Sequence, residues 1–462
     1  MEKVKTKRLG SFNIWRKGIY FVLSFLVALL LTYLIKAPGF TDSQNYVLFL
    51  LFFAIGLWLT EAIPPFAVAL FIMAYLIVTL GDQRFNSEPQ SVAKYVQTFS
   101  NSIIWLILSG FFLAEAMTKT GIDTDFFRFS LRLSGHEPKK ILLGIMITTM
   151  VASFVLSNTA ATTMVIAAVM PLLRSQGKSR FARALLSGIP LAAAMGGMGT
   201  IIATPPNAIA VGELENIGIK IDFLTWMKIG MPLAILLTFS CWFFLSKLYI
   251  KESFPVSIEL PAQKEHQGKR EKIRRLIVLV VLIVTVLLWL TTSLHHFSIF
   301  AVSIVPIVSL TMTGILKAED IRALPWDSLL LVAGGLSLGL ALQETQLLEH
   351  FTRNFKETTL GPVLLYFVFA YLTTIFGNFM SNTATATILI PLGISLMPDH
   401  AKYIALIVGF ASSTGLLLPV STPPNAVAYS TGLMDQRDFL KGGLLVGILA
   451  PPLIVLLVLL LL

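Results

Sequence analysis

The sequence predicts an all-α membrane protein of about eleven transmembrane helices, with two re-entrant hairpins and inverted five-helix repeats. Three observations predict it. The 462 residues are 55% hydrophobic and only 13% charged, with a mean hydropathy of +0.80, more apolar surface than a soluble fold of this length buries. The triplet Ser157-Asn158-Thr159 returns as Ser381-Asn382-Thr383, and each copy runs on through small and β-branched residues to a proline, Pro171 or Pro391. Thr204-Pro205-Pro206-Asn207-Ala208 then follows the first triplet, and Thr422-Pro423-Pro424-Asn425-Ala426 the second. Two unlike polar motifs repeated in the same order mark an internal duplication, and interruptions at matching places in two halves are the best sequence pointer to a binding site in a membrane protein.

Residues 1–40 make a cytoplasmic N-terminus and a first helix at about 19–35. The basic residues ahead of that run imitate a secretory signal, but its length and the lack of a small-x-small cleavage site favour a retained helix. Residues 41–250 form the first repeat, with spans at about 45–60, 62–80 and 101–118. Asp123, Phe126, Phe127, Arg128, Phe129, Leu131 and Arg132 alternate at helical spacing, so 123–134 reads as a helix lying along the inner leaflet. The apolar stretch 141–173 is too long for one crossing of ~20 residues and carries its polar triplet near the middle, which suits a re-entrant hairpin. A broken span at 182–210 and a span at 229–249 close this repeat. Residues 251–275, polar and with a basic cluster, read as a cytoplasmic linker. The second repeat, 276–462, has spans at 276–292, 297–313 and 327–342, a hairpin at 362–397, a broken span at 402–430 and a last span at 440–462.

An odd number of crossings per repeat inverts the second copy relative to the first. Counted on that topology, 27 of the 35 Lys and Arg fall on the side of the N-terminus and 8 on the other. This bias predicts a multi-pass protein of the cell inner (plasma) membrane, its N-terminus in the cytoplasm and its C-terminus outside. The formal charge of +10 is scattered between spans, so it reads as membrane orientation and not as a nucleic-acid surface. Cys241 is the single cysteine, which excludes an internal disulfide and argues against a thiolate metal site.

Backbone that leaves a helix inside a membrane must line a protein-enclosed or watery cavity. Both motifs are expected to impose such a break, the Pro-Pro pairs by removing two donors and forcing extended backbone, the triplets as hairpin tips. Helix N-termini beyond the breaks suit an anion, and C-terminal carbonyls suit a small hard cation. Asn158, Thr159, Asn382 and Thr383 offer donors to carboxylate oxygens, while Ser, Thr and Asn oxygens suit Na+. No Lys or Arg lies in these motifs, so a bound anion would need co-bound cations. Small residues such as Met195-Gly196-Gly197-Met198-Gly199 also pack membrane helices, but packing does not explain two motifs duplicated together. Among acids near the spans, Glu61 and Asp327 fall at span ends, and Glu115 lies deeper as the candidate for a proton-linked step. His295 and His296 read as loop residues. No nucleophile-base pair or metal-ligand cluster appears within the spans, so an enzyme is not expected.

The doubled Ser-Asn-Thr and Thr-Pro-Pro-Asn pair in a five-plus-five repeat resembles the divalent anion/sodium symporter family, the bacterial di- and tricarboxylate transporters, over nearly the whole chain. The resemblance implies a homodimer in which a scaffold holds the dimer interface and a transport part moves in an elevator motion. It implies import of C4-dicarboxylates (succinate, malate, fumarate) coupled to two or more Na+. By position, Asn158, Thr159, Asn382 and Thr383 would contact substrate, with Thr204, Pro205, Thr422 and Pro423 lining the same cavity. One Na+ would use Ser153, Ser157, Asn158 and backbone near Gly199 and Ala203. The second would use Ser381, Asn382 and backbone near Ser421, but Gly377, which stands where the first copy has Ser153, has no hydroxyl. A sodium-independent exchanger and a sulfate or citrate transporter of the same fold stay open at this point. A cation/proton antiporter would want a carboxylate at the breaks, where this chain has Ser, Thr, Asn and Pro.

Overall fold

The computed structural model describes residues 2–86, 89, 91–133, 135–250, 268–347 and 361–462, and all secondary structure among them is helical. α1 (Glu2–Ile35) begins well ahead of its apolar run and packs on α2 (Asp42–Thr60), whose N-terminus carries a reciprocal Thr41–Gln44 capping box. α3 (Pro65–Gly81) starts on a proline, which loses no hydrogen bond at the first helical position. The short α4 (Ala93–Gln97) leads into α5 (Ser102–Thr120), capped by Asn101. α6 (Ile122–Leu133) is the expected amphipathic helix, with Phe127 buried and Phe129 exposed.

The stretch read as the first hairpin is two helices, α7 (Pro138–Ala152) and α8 (Asn158–Gln176). The first broken span is α9 (Arg180–Gly196) and α10 (Pro205–Asn216), and α11 (Phe223–Tyr249) follows. Residues 251–267 of the expected linker lie outside the described residues. Its remainder corrects the reading: α12 (Lys269–Leu290) starts at Lys269, so the basic residues to Arg275 are its first two turns. Long cationic side chains on a polar helix end reach water without breaking the helix.

After the one-turn α13 (Thr292–His295) come α14 (Ile299–Met312), the short α15 (Ala318–Arg322) and α16 (Trp326–Glu344). α17 (Pro362–Phe376) and α18 (Asn382–Leu396) form the second interrupted pair. α19 (Ala401–Ala411) and α20 (Pro423–Ser430) form the second broken span, and α21 (Gln436–Leu461) is last. Seven stretches of described helix are long and apolar enough to cross a membrane: α1, α2, α4 with α5, α11, α12, α16 and α21.

The packing exchanges partners between the halves. α3 lies on α16 and α5 on α14, so each repeat's early helices pack on the other's. Likewise α10 packs on α18 and α19, and α20 on α8 and α9. The second segment of each broken helix is thus held by the second helix of the other repeat's interrupted pair and by the first segment of its broken span, which brings both kinds of motif together.

Candidate functional site

All four motifs turn out to be helix starts. Ser157 caps α8 by accepting from Ala160 N at 3.2 Å, and Ser381 caps α18 by accepting from Ala384 N at 3.2 Å. Asn158 and Asn382 are the first helical residues. Thr204 and Thr422 are extended, with φ/ψ of −145/146° and −140/149°, and the prolines after them open α10 and α20. This corrects the expectation of extended backbone through each Pro-Pro pair. The steric demand falls on the residue before the first proline, while the prolines occupy turns whose N–H groups have no helical partner anyway.

In the first copy the breaks touch directly. A Cβ on Gly196 would stand 2.3 Å from Met150 O, and one on Gly197 would stand 2.6 Å from Asn158 Oδ1 and 2.8 Å from Thr204 Cγ2. Only glycine lets the backbone come this close. Asn158 Oδ1 accepts from the buried Ser153 hydroxyl at 2.6 Å. Thr200 Oγ1 donates to Phe154 O at 2.5 Å, tying the α9–α10 break to the α7–α8 break. Gly199 lies against the Phe154 ring. Asn207, fully buried, donates to Gly197 O at 2.7 Å and Thr200 O at 2.8 Å. Its amide therefore replaces helical donors that the break removes. Its own Oδ1, and the hydroxyl of Thr204, are buried without a hydrogen-bond partner.

The second copy repeats the frame. A Cβ on Gly415 would stand 2.4 Å from Gly377 C, and Asn425 donates to Leu416 O at 3.2 Å and Leu418 O at 2.9 Å. Thr422 Oγ1 accepts from Asn425 N at 3.4 Å. The polar filling differs. A Cβ on Gly377 would lie 3.2 Å from Asn382 Oδ1, which is buried with no partner. Asn378, in the place of Phe154, donates to Thr374 O at 2.7 Å and accepts from Leu417 N at 2.7 Å, and Ser421 Oγ donates to Asn378 O at 3.3 Å.

Each half therefore brings its triplet, its Thr-Pro-Pro-Asn and its glycines together. The roles of Asn207, Asn425, Thr200 and Asn378 were missed, although both asparagines were visible as the fourth residue of the repeated motif. Glu213 was also missed. It is wholly buried on α10, just past the expected end of the 182–210 span, where sequence reads as loop. Of the acids singled out, Glu61 and Asp327 are exposed and Glu115 is half-buried, one turn from Lys119, which pairs with Asp320. A groove of about 440 Å³ between α8 and α20 is lined by Thr163, Met170, Arg174, Val427 and Thr431 among others.

A bundle of long apolar helices, with interruptions repeated at matching places in its two halves, is the architecture of a multi-pass membrane protein. The sodium:sulfate symporter transmembrane region matches residues 16–462, and the chain belongs to that family; it is a transporter and not an enzyme. The sodium-dependent dicarboxylate transporter SdcS of Staphylococcus saprophyticus is 28% identical, the alignment covering 98% of this chain and 92% of that one. SdcS of Staphylococcus aureus strain USA300 is 27% identical over 89% and 85% of the two chains. Among solved structures, Neisseria gonorrhoeae MtrF aligns with TM-score 0.57 at 12% identity over 87% of this chain and 96% of its own. The Alcanivorax borkumensis YdaH transporter gives 0.56 at 11% over 85% and 97%. At such identities these two speak for the fold alone.

Proposed function

We propose that the protein imports C4-dicarboxylates such as succinate, malate and fumarate together with Na+. The observation that carries this reading is the set of four helix N-termini, α8, α10, α18 and α20, each opening on one of the repeated motifs. Free N–H groups and the positive ends of the helix dipoles suit carboxylate oxygens. Asn158, Thr159, Asn382 and Thr383 supply further donors, and Thr204, Pro205, Thr422 and Pro423 line the same region. The names of the SdcS relatives support both the substrate class and the coupling ion.

The donor sets fit Na+ as co-substrate. Ser153 and Asn158 already hold two oxygens together, with Ser157 and the carbonyls of the 197–203 break beside them. Asn382 Oδ1 is a buried acceptor without a donor, and leaving such a group unmatched costs about 1–3 kcal/mol. A cation held with Ser381, Ser421 and nearby carbonyls would satisfy it. Bound Na+ would offset the dianion's charge, for which the motifs provide no fixed cation.

Seven long spans, the two shorter helices α3 and α14 and the two broken spans would make eleven crossings, with the α7–α8 and α17–α18 pairs re-entrant. The N-terminus would then be cytoplasmic and the C-terminus outside. We assign α7–α11 and α17–α21 to a transport part that moves, elevator-fashion, against a scaffold of α2–α5 and α12–α16 in each subunit of a homodimer. The absent hydroxyl at Gly377 favours a second reading, a sodium-independent exchanger in which the second cation site is lost. Counterflow of labelled succinate into reconstituted vesicles, challenged with malate, fumarate, citrate and sulfate, tests the substrate class. Competition by the C4-dicarboxylates alone is expected. Competition by sulfate with none from malate or fumarate would overturn the assignment.

A further inference from the structure

Glu213 has no role in the site just described, yet it is the one acid on α10 that is wholly buried. Its Oε1 has no hydrogen-bond partner, and Oε2 has only Asn216 Nδ2 of its own helix at 3.5 Å. The carboxyl presses into α16. A Cβ on Gly339 would stand 2.1 Å from Oε1 and 2.6 Å from Oε2, so only glycine at 339 leaves room for it. The neighbouring Gly212 meets Leu336 of α16 in the same way. The carboxyl thus fills a glycine notch between a helix of the proposed transport part and one of the proposed scaffold.

The elements packed on α10 are α5, α16, α18 and α19. Their charged and titratable groups are Glu115 and Lys119 on α5, Asp327 and Glu344 on α16, and Lys402 and Tyr403 on α19, while α18 has none. Lys119 pairs with Asp320, Glu344 with Lys94, and Glu215 of α10 itself accepts from Ser102. None of these groups makes an ion pair or hydrogen bond with Glu213 among the described residues.

A lone carboxylate ion in such a place is too costly to persist, so the group needs a cation. A metal ion does not suit it. Na+ wants several oxygens, and the residue that faces Oε1 from α16 is Gly339, which has no side chain to supply one. A proton needs no such set. We propose that Glu213 is a proton-binding site carried on the broken helix, filled while α10 sits in the Gly339 notch and free to empty only when α10 leaves it. The proposal rests on the reading that α10 moves against α16. The step is a simple protonation of Oε1 or Oε2, with the proton exchanged with water on whichever side the opened interface faces. Protonation favours the seated arrangement, so rising pH shifts the carrier away from it.

The test compares the wild type with Glu213→Gln, which has the shape of the neutral acid and cannot ionise, over pH 6 to 8. Two readouts are taken, succinate counterflow in reconstituted vesicles and thermal unfolding in detergent. Substrate titration affects both proteins alike and cancels in the uptake ratio. The proposal expects the ratio of wild-type to variant uptake to fall at least threefold across the range. It also expects the wild type to lose thermal stability relative to the variant as pH rises above the ordinary carboxyl range, because the unfolded chain ionises there and the folded chain cannot. A constant ratio with a constant difference in unfolding temperature would overturn it. A widening unfolding difference with no counterflow by either protein would uphold the proton site and sink the transport reading instead. Should Glu213→Gln not accumulate, Glu213→Met, unionisable and of similar length, takes its place in both comparisons.

Discussion

At the first break the Ser153 hydroxyl donates to Asn158 Oδ1 at 2.6 Å; at the second, Gly377 stands in the equivalent place and Asn382 Oδ1 is buried with no donor. The backbones around these side chains are close copies. Ser157 and Ser381 have φ/ψ of −61/148° and −61/144°, and Thr204 and Thr422 differ by about as little. Glycine packing fixes the frame in both halves, through Gly196 on Met150 and Gly415 on Gly377. The duplication has therefore held the backbone, which presents the helix N-termini, and let the oxygen set vary. An anion recognised by the N-termini meets two equivalent surfaces, whereas a small cation held by side-chain oxygens meets two different ones.

The largest effect that would break this comparison is loss of either asparagine. Asn158→Ala and Asn382→Ala should each reduce succinate uptake more than 100-fold while the protein still folds, and near wild-type uptake by either variant would remove that half from the site. Next in size is the hydroxyl. Ser153→Ala should raise the Na+ concentration for half-maximal uptake about tenfold, since a charge-assisted contact contributes about 1.5–3 kcal/mol, with a fall in melting temperature no larger than that of Asn207→Ala, because Asn158 Oδ1 loses one buried hydrogen bond. Gly377→Ser gives the second copy the hydroxyl of the first, and a lowered half-saturating Na+ concentration of about threefold is expected. An unchanged Na+ titration in both variants would mean that the difference between the halves has no bearing on the cation.

Smaller effects should fall on the frame. Asn207→Ala removes two buried hydrogen bonds of 2.7 and 2.8 Å, and Asn425→Ala removes two of 3.2 and 2.9 Å. At about 1 kcal/mol net each, both variants should lose roughly 2 kcal/mol, the first somewhat more, as read by thermal unfolding in detergent. Equal wild-type melting would show that the amides do not hold the breaks.

Much of this architecture was legible because apolar length and repeated polar motifs are sequence properties. The span expected at 101–118 is α5, and the helix expected at 123–134 is α6, each within a few residues. Helix starts were less legible. Lys269 to Arg275 read as linker because charge masks a helix whose polar end points to water, and the Pro-Pro pairs read as extended because a proline's effect was assigned to the proline and not to the threonine before it. The contrast between Ser153 and Gly377 was legible from their matching places before the two triplets, and the structure adds the contacts: Ser153 donates to Asn158 Oδ1, while Gly377 faces Asn382 Oδ1, which has no donor. Glu213 was not legible at all. Its burial depends on Gly339, on a helix of the other repeat, and no local pattern connects the two.

The most direct test of the account is net uptake of labelled succinate into empty proteoliposomes under an inward Na+ gradient, against the same vesicles with Na+ replaced by K+ or choline. The account predicts accumulation with Na+ and none without it, with no succinate needed inside. Uptake that ignores Na+ and requires internal succinate would contradict it and identify an exchanger.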